Sequence, residues 1–483
     1  MPKHLLTLTA LGLATLPATA ASAIPQSALR TPHSDAPPAR PNIILILADD
    51  LGYGDLACHG NPTVKTPRLD KFARESIELT SFRVSPVSAP TRASTLTGRW
   101  NFRTGVPDVR PQSAQIDPAE ILIAAPLKAA GYATAMFGKW HLGNVTAKTK
   151  NSPNALGFDE TLTFAGSALR QYFDPPLYHN GAPIKTKGYS QDIFTDAAIA
   201  FIRKTTAANK PFFIYLPYNL IHTPLQVPTD LENEYDNLGL RDSTRKIYGM
   251  VRSVDTTFGR LLDTLKTLGI ENNTLVIFLS DNGPCSSSKP FDRYMAGLRG
   301  LKGTVYENGI RVPCFMRWPA AFKTPATITR PAAHIDLFPT ILAACEVPVP
   351  PTCALDGINL LPILKNPKGD YPDRTFYFQW DSAPVPRRGQ AYTVVTEQWK
   401  LVQPCGMDDP NQAHIRAAYA ELCRQQNRAE NATIDGPARY ELYNLATDPA
   451  ETQNQATAHP EIVAKLKAQY DAWFTDTAKR WSP

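Results

Sequence analysis

Residues 42–50 read Asn-Ile-Ile-Leu-Ile-Leu-Ala-Asp-Asp, an apolar run that shows no alternation and stops abruptly at two carboxylates. A strand exposed on one face alternates apolar and polar side chains, whereas a strand covered on both faces is apolar throughout. The second description fits. The same style recurs at Ala133-Thr-Ala-Met-Phe137, Pro211-Phe-Phe-Ile-Tyr-Leu216 and Thr274-Leu-Val-Ile-Phe-Leu-Ser280, with longer amphipathic stretches such as Pro67-Arg-Leu-Asp-Lys-Phe-Ala-Arg-Glu-Ser76 between them. Buried strands separated by helices predict an α/β fold, a large mixed, mostly parallel sheet sandwiched by helices, over residues 41–370. The sequence carries no internal repeat.

After about residue 370 the pattern changes to polar, aromatic-bearing alternation: Thr375-Phe-Tyr-Phe-Gln-Trp380, Ala391-Tyr-Thr-Val-Val-Thr-Glu-Gln-Trp-Lys-Leu-Val-Gln403 and Tyr440-Glu-Leu-Tyr-Asn-Leu445. A final amphipathic stretch runs from Pro460 to Phe474. Residues 371–483 therefore read as a smaller C-terminal domain, an antiparallel sheet with a helix.

At the other end, Lys3 and His4 precede an apolar, small-residue stretch closing on Ala21-Ser22-Ala23, the form of a cleaved secretory signal over residues 1–23. Thr residues and Pro17 interrupt that stretch, which falls short of the ~20 apolar residues needed to cross a bilayer. The expectation is a periplasmic or secreted protein without a membrane anchor. Residues 24–40, rich in Pro and Ser, read as a flexible lead-in.

The 483 residues are 43% hydrophobic and 19% charged, an ordinary globular composition, with a formal net charge of +6. That charge is small for the length, and no basic tract or nucleic-acid-binding motif accompanies it, which argues against a nucleic acid partner. It leaves room for a mild attraction towards anionic substrates. All seven cysteines follow residue 23, and an odd number in an oxidising compartment leaves at least one thiol unpaired. Cys345 with Cys353, and Cys405 with Cys423, each bracket a short segment and are candidate local disulfides.

In a doubly wound sheet, ligands bind beyond the carboxyl ends of the strands. Four strand ends here carry reactive groups. The first ends in Asp49-Asp50 and another in Asp281-Asn282, so three carboxylates and an amide can converge. Oxygen donors without Cys or His suit a hard cation, calcium or magnesium; taken singly, Asp and Asn before Gly also make ordinary turns. The strand from Ala133 runs into Gly138-Lys-Trp-His-Leu-Gly143, placing Lys139 and His141 on the turn, and the strand from Pro211 delivers His222. A lone His is more often structural, but these share one sheet edge with the acids. In Val84-Ser-Pro-Val-Ser-Ala-Pro-Thr-Arg92 a helix is predicted from Ala89, with Ser88 as N-cap, Pro90 in the first turn and Arg92 one turn in. Read blandly, Ser88 only caps. Read functionally, it lies at the positive end of a helix dipole suited to an anion.

These residues resemble the type I sulfatase family of the alkaline phosphatase superfamily. Its (Cys or Ser)-x-Pro-x-Arg signature is matched by Ser88-Ala-Pro90-Thr-Arg92, and a second signature by Gly131-Tyr-Ala-Thr134 with Gly138 to Gly143. Further matches are Asp49 to Asp55, Lys65 to Asp70, Ile221-His-Thr-Pro224, Ser280-Asp-Asn-Gly283, Leu301 to Glu307, Gly309 to Pro313, and Glu441-Leu-Tyr-Asn-Leu with Asp448-Pro. The resemblance spans roughly residues 41–455.

The resemblance implies an alkaline phosphatase-like fold and a sulfuric ester hydrolase in which a maturation enzyme oxidises Ser88 to formylglycine (3-oxoalanine). The hydrate of that aldehyde would attack sulfur and form a covalent sulfate intermediate. Asp49, Asp50, Ser88, Asp281 and Asn282 would surround one calcium ion. Lys139 and Lys302 would hold the sulfate oxygens, and Arg92 would steady the hydrate and the metal cluster. His222 would protonate the departing alcohol, while His141 would take a proton from the second hydroxyl of the hydrate to expel sulfate. The implied substrates are sulfated carbohydrates, such as glycosaminoglycan or algal polysaccharide fragments.

The family often has Cys at the modified position, so Ser88 implies a maturation enzyme able to oxidise Ser, of the radical, oxygen-independent type. Asn308 stands where Gly is usual. Lys289, Arg293 and Arg299 are candidate contacts for an anionic sugar, against the alternative of a solvated loop, and Trp100, His179 and Trp380 are weaker candidates. Two other readings stand beside the sulfatase: a phosphomonoesterase or phosphodiesterase of the same superfamily, and a non-catalytic carbohydrate-binding relative in which Ser88 is never converted.

Overall fold

The computed structural model describes residues 40–285, 292–380, 382–404 and 440–481, with isolated positions 417, 421 and 424. Its strands, in chain order, are β1 (Asn42–Ala48), β2 (Ile77–Leu79), β3 (Phe82–Arg83), β4 (Ala133–Lys139), β5 (Glu160–Phe164), β6 (Leu177–His179), β7 (Ala182–Ile184), β8 (Phe212–Pro217), β9 (Thr274–Ser280), β10 (Cys314–Arg317), β11 (Ala326–Ile328), β12 (Ala332–Ala333), β13 (Phe376–Gln379), β14 (Tyr392–Val395), β15 (Trp399–Gln403) and β16 (Glu441–Asn444). Ten of them form one sheet in the order β11-β2-β10-β9-β1-β8-β4-β5-β6-β7. The centre, from β9 through β1, β8 and β4 to β5, is parallel, and β10, β6 and β7 pair antiparallel towards the edges. The sheet is mixed and mostly parallel, as the unbroken apolar runs require.

Successive side chains of β1 point to opposite faces. Ile43, Leu45 and Leu47 enter one hydrophobic cluster, with the helices Ser88–Thr97 and Leu337–Ala344. Ile44, Ile46 and Ala48 enter the other, with the helices Ser190–Ala207 and Asp242–Thr267. All six are fully buried. Two covered faces explain why no polar residue interrupts the run.

Strands β13–β16 form a four-stranded antiparallel sheet, and the helix Pro460–Thr477 packs on it. This cluster also takes in Trp100, Phe102, Ile310, Ala333 and Ile335 from the larger part of the chain. Trp100 meets His334, Phe378 and Trp473 edge-on, so it is a core residue and not a sugar contact.

A buried ionic network joins the four-stranded sheet to β3, which pairs with β12 in a separate two-stranded sheet. Glu307 accepts two hydrogen bonds from Arg83 and one, at 3.0 Å, from Lys400 of β15, which also pairs with Glu451 at 2.8 Å. Arg83 and Lys400 together hold the Glu307 carboxyl well below the usual range, against the burial that would raise it.

One of the two disulfide expectations changes. Cys345 and Cys353 are free thiols, because Cys345 is buried in the core beside the Tyr132 hydroxyl while Cys353 lies on a partly exposed loop. Cys405 and Cys423 lie outside the described residues, as does the whole of residues 1–39. Among the described residues no helix is long and apolar enough to cross a membrane.

Removing Glu307 leaves the buried Arg83 without its carboxylate partner and Lys400 with Glu451. Glu307→Ala is expected to cost about 3–5 kcal/mol, the penalty typical of breaking a buried ion pair from one side. Urea unfolding measures it; a loss below about 1 kcal/mol would show the network to be dispensable.

Candidate active site

The site is built on strand register. Ala48 pairs with Ser280 across β1 and β9, so the next residues, Asp49 and Asp281, leave the sheet side by side. The backbone N–H of Asp50 donates to Asp281 Oδ1 at 3.2 Å, with Asp50 in the left-handed region at φ 64°. Strand β4 reaches the same edge. Gly138 (φ 132°) passes so close to β8 that a Cβ there would lie 1.9 Å from the carbonyl oxygen of Pro217. Only glycine allows that approach.

Lys139 is the last residue of β4 rather than part of the turn that follows, and its fully buried Nζ donates to Asp49 Oδ2 at 2.7 Å. Lys302 Nζ donates to Asp50 Oδ1 at 2.6 Å. Arg92, wholly buried, donates to Asp281 Oδ2 at 2.7 Å and to the carbonyl of Lys139 at 3.2 Å. Three carboxylates thus meet three cations drawn from separate elements.

Burial opposes ionisation of Asp49, yet Lys139, His222 and Arg92 hold it far below its ordinary pKa. Asp50 is lowered in the same way, mainly by Lys302. Asp281 is pushed up to about 6 by burial and by the Asp49 charge, in spite of its ion pair with Arg92.

Ser88 is not the N-cap. The helix begins at Ser88 itself, Val87 is the extended residue before it, and no side chain caps the end. Freed from capping, Ser88 Oγ lies 3.1 Å from Asn282 Oδ1 and 3.3 Å from Asp49 Oδ1. Asn282 Nδ2 turns to Asp50 Oδ1 at 2.7 Å. The helix therefore aims its first side chain into the acidic cluster.

The donor set suits a hard cation. Asp50 Oδ2 is buried without a hydrogen-bond partner, and ligand atoms of Asp49, Asp50 and His222 lie within 4.8 Å of one another. His222, to which the family resemblance gives a role in proton transfer, thus stands within reach of the same centre, its Nε2 4.0 Å from Asp50 Oδ2. Its Nδ1 faces the carbonyl of Thr223 at 2.8 Å. His141 Nε2 lies 2.9 Å from the carbonyl of Val109, which makes Nε2 the protonated nitrogen and leaves Nδ1 as a buried lone pair without a partner. Burial, with the Lys139 charge, lowers the His141 pKa well below its usual value and keeps the ring neutral. His141 also lines a cavity of about 330 Å³ with Gln115, Asn144 and Ser167.

The expected sugar contacts fall elsewhere. Arg293 is buried against Asp55, with Nε 2.7 Å from Oδ1, and also donates to the carbonyl of Asp50 at 3.0 Å. Arg299 is buried between the Tyr306 ring and Glu441. Each is buried and committed to an internal partner rather than lying in a solvated loop. Lys289 lies outside the described residues. Trp380 is buried and donates to Asp108 Oδ1 at 2.9 Å. His179 ends the peripheral strand β6, beside Glu160. Asn308, the departure from the family pattern, is buried and donates to the carbonyl of Gly300 at 2.9 Å.

Sequence reasoning passes over Tyr172 and Tyr215. Tyr215 is buried beside Arg92 and Asp281. Its place inside an unbroken apolar strand makes it look like packing alone.

Comparison with known proteins agrees with this arrangement. The Sulfatase family profile matches residues 41–347, and that of the N-sulphoglucosamine sulphohydrolase C-terminal region matches residues 301–412. N-acetylgalactosamine-6-O-sulfatase of Bacteroides thetaiotaomicron is 29% identical, covering 88% of this chain and 92% of its own. Human arylsulfatase A is 31% identical, covering 90% and 89%. The crystal structure of Ps i-CgsB in complex with k-i-k-neocarrahexaose is 27% identical, with a TM-score of 0.76 over 90% of this chain and 92% of that one. With its alkaline phosphatase-like sheet and these relatives, the chain belongs to the sulfatase family and is a sulfuric ester hydrolase.

Proposed function

We propose that the enzyme removes sulfate from sulfated carbohydrates, with Ser88 oxidised to formylglycine as nucleophile and one calcium ion beside it. The observation that carries this reading is the position of Ser88 Oγ, turned away from capping and directed at Asp49 and Asn282. The carbohydrate class is supported by the name of the Bacteroides relative and by the oligosaccharide bound in the solved one.

Asp49, Asp50, Asp281 and Asn282, with Ser88, would hold the calcium, which would acidify an oxygen bound to it and offset the carboxylate charge. Once oxidised and hydrated, Ser88 would supply two hydroxyls, one to attack sulfur and one whose deprotonation completes the cycle. Lys139 and Lys302 would hold sulfate oxygens as negative charge moves between them. Arg92, locked on Asp281, keeps that carboxylate ionised and in place. His141 Nδ1, neutral and unpartnered, is the atom suited to accept the proton of the second hydroxyl. His222, with Nδ1 engaged on Thr223, has Nε2 left to deliver a proton to the leaving alcohol. The cavity beside His141 is large enough for a sugar ring. The proposal includes export directed by residues 1–23, to the periplasm or medium, and a Ser-type maturation enzyme as partner.

Mass spectrometry of the peptide carrying Ser88, from the native host, is expected to show a mass lower by two hydrogens. Unmodified Ser in fully active enzyme would overturn the mechanism. Ser88→Ala should lower kcat/KM by about 10⁴-fold or more while leaving the unfolding midpoint near wild type.

Complete chelation is expected to abolish sulfate release and added calcium to restore it. Activity that survives chelation, or that returns only with zinc, would rule out the calcium assignment.

A further inference from the structure

The segment after β5 carries Tyr172, which is fully buried although it belongs to no chemical motif in the sequence. Its hydroxyl lies 2.7 Å from the carbonyl oxygen of Asn219 and 2.7 Å from that of His222, and it accepts a hydrogen bond from Asn219 Nδ2. The residue is itself tied down on both sides. Its N–H donates to Gln226 Oε1 at 2.8 Å, and its carbonyl accepts from the N–H of Ser190 at 2.8 Å. Burial, with the nearby Asp49 charge, holds the phenol well above its ordinary pKa, so the hydroxyl keeps its proton and remains a donor.

What it grips is the turn that carries His222. That turn is suspended from the first strand end: Asp49 N–H donates to the carbonyl of Leu220 at 2.8 Å, and Ile221 N–H donates to the carbonyl of Asp49 at 2.5 Å. The turn is closed by His222 N–H donating to the carbonyl of Asn219 at 3.0 Å. The imidazole itself makes a local hydrogen bond, through Nδ1 to the neighbouring Thr223 carbonyl, with Nε2 4.0 Å from Asp50 Oδ2. Where Nε2 stands therefore depends on where the backbone of His222 is held, and among the described residues the Tyr172 hydroxyl is the side-chain group that meets that backbone.

We infer that Tyr172 is a positioning residue for proton delivery: by clamping the Asn219–His222 turn from within the core, it keeps His222 Nε2 beside Asp50, aligned with the leaving oxygen. The inference rests on the proposed role of His222 as proton donor. It makes a prediction that a merely structural tyrosine does not. Proton donation matters little for an acidic leaving group and greatly for a basic one, so a misplaced acid steepens the dependence of rate on leaving-group acidity.

The test compares wild type, Tyr172→Phe and His222→Gln, as matured enzyme, on a series of aryl sulfates of falling leaving-group acidity together with a sulfated monosaccharide. Phe keeps the ring and loses only the hydroxyl. For Tyr172→Phe, kcat is expected to stay within about twofold of wild type on 4-nitrophenyl sulfate and to fall about tenfold on the sugar sulfate, with KM unchanged. For His222→Gln the fall on the sugar sulfate is expected to be on the order of 10² or more, within the range of general acid catalysis. Gln226→Ala, which removes the support of the Tyr172 backbone near the surface, should steepen the dependence in the same direction and decides the matter if Tyr172→Phe does not fold. A steep His222→Gln series with equal losses, or none, across all substrates for Tyr172→Phe overturns the inference alone. A flat His222→Gln series overturns both the proton-donor role and the inference built on it.

Discussion

The register of β1 against β9 is the constraint on which the rest of the site depends. Pairing Ala48 with Ser280 brings Asp49 and Asp281 out of the sheet together, in a place sealed from water. Two unit charges 4 Å apart repel by about 4 kcal/mol at the effective dielectric of a protein site, so such a cluster stays ionised only with countercharge close by. Arg92, Lys139 and Lys302 supply it from a helix, a strand end and a loop. Much of the surrounding fold brings these three cations to one edge, where Asp50 Oδ2 is left buried without a hydrogen-bond partner.

The smaller sheet supports this arrangement from a distance. Trp380, just past β13, donates to Asp108, and the next residue, Val109, offers the carbonyl that fixes the His141 tautomer. Arg299, Glu441 and Tyr443 tie β16 to the segment just before Lys302. Lys400 of β15 closes the Glu307 network. The described C-terminal elements thus help fix the orientation of His141 and hold the segment before Lys302.

Much of this was legible in the sequence. The unbroken apolar runs imply a sheet covered on both faces, and the reactive residues sit where those runs end. Other readings failed for identifiable reasons. Ser88 looked like a cap because Ser before a helix usually is one, but the helix begins one residue earlier and the hydroxyl has better partners across the fold. Arg293 and Arg299 looked available because the acids that bury them, Asp55 and Glu441, lie 238 and 142 positions away along the chain. Tyr172 gave no signal, since a buried aromatic in a loop is ordinary until its hydroxyl is seen to meet two carbonyls.

By itself, then, the sequence determined which elements form and which chemistry each strand end carries, because hydrophobic periodicity and short motifs are local properties of the chain. Tertiary structure alone decided which charges meet, which nitrogen of each histidine is free, and which side chains hold the turn that carries His222. Those depend on contacts between residues far apart in the chain, made by packing and register, and nothing in the neighbourhood of either partner records them.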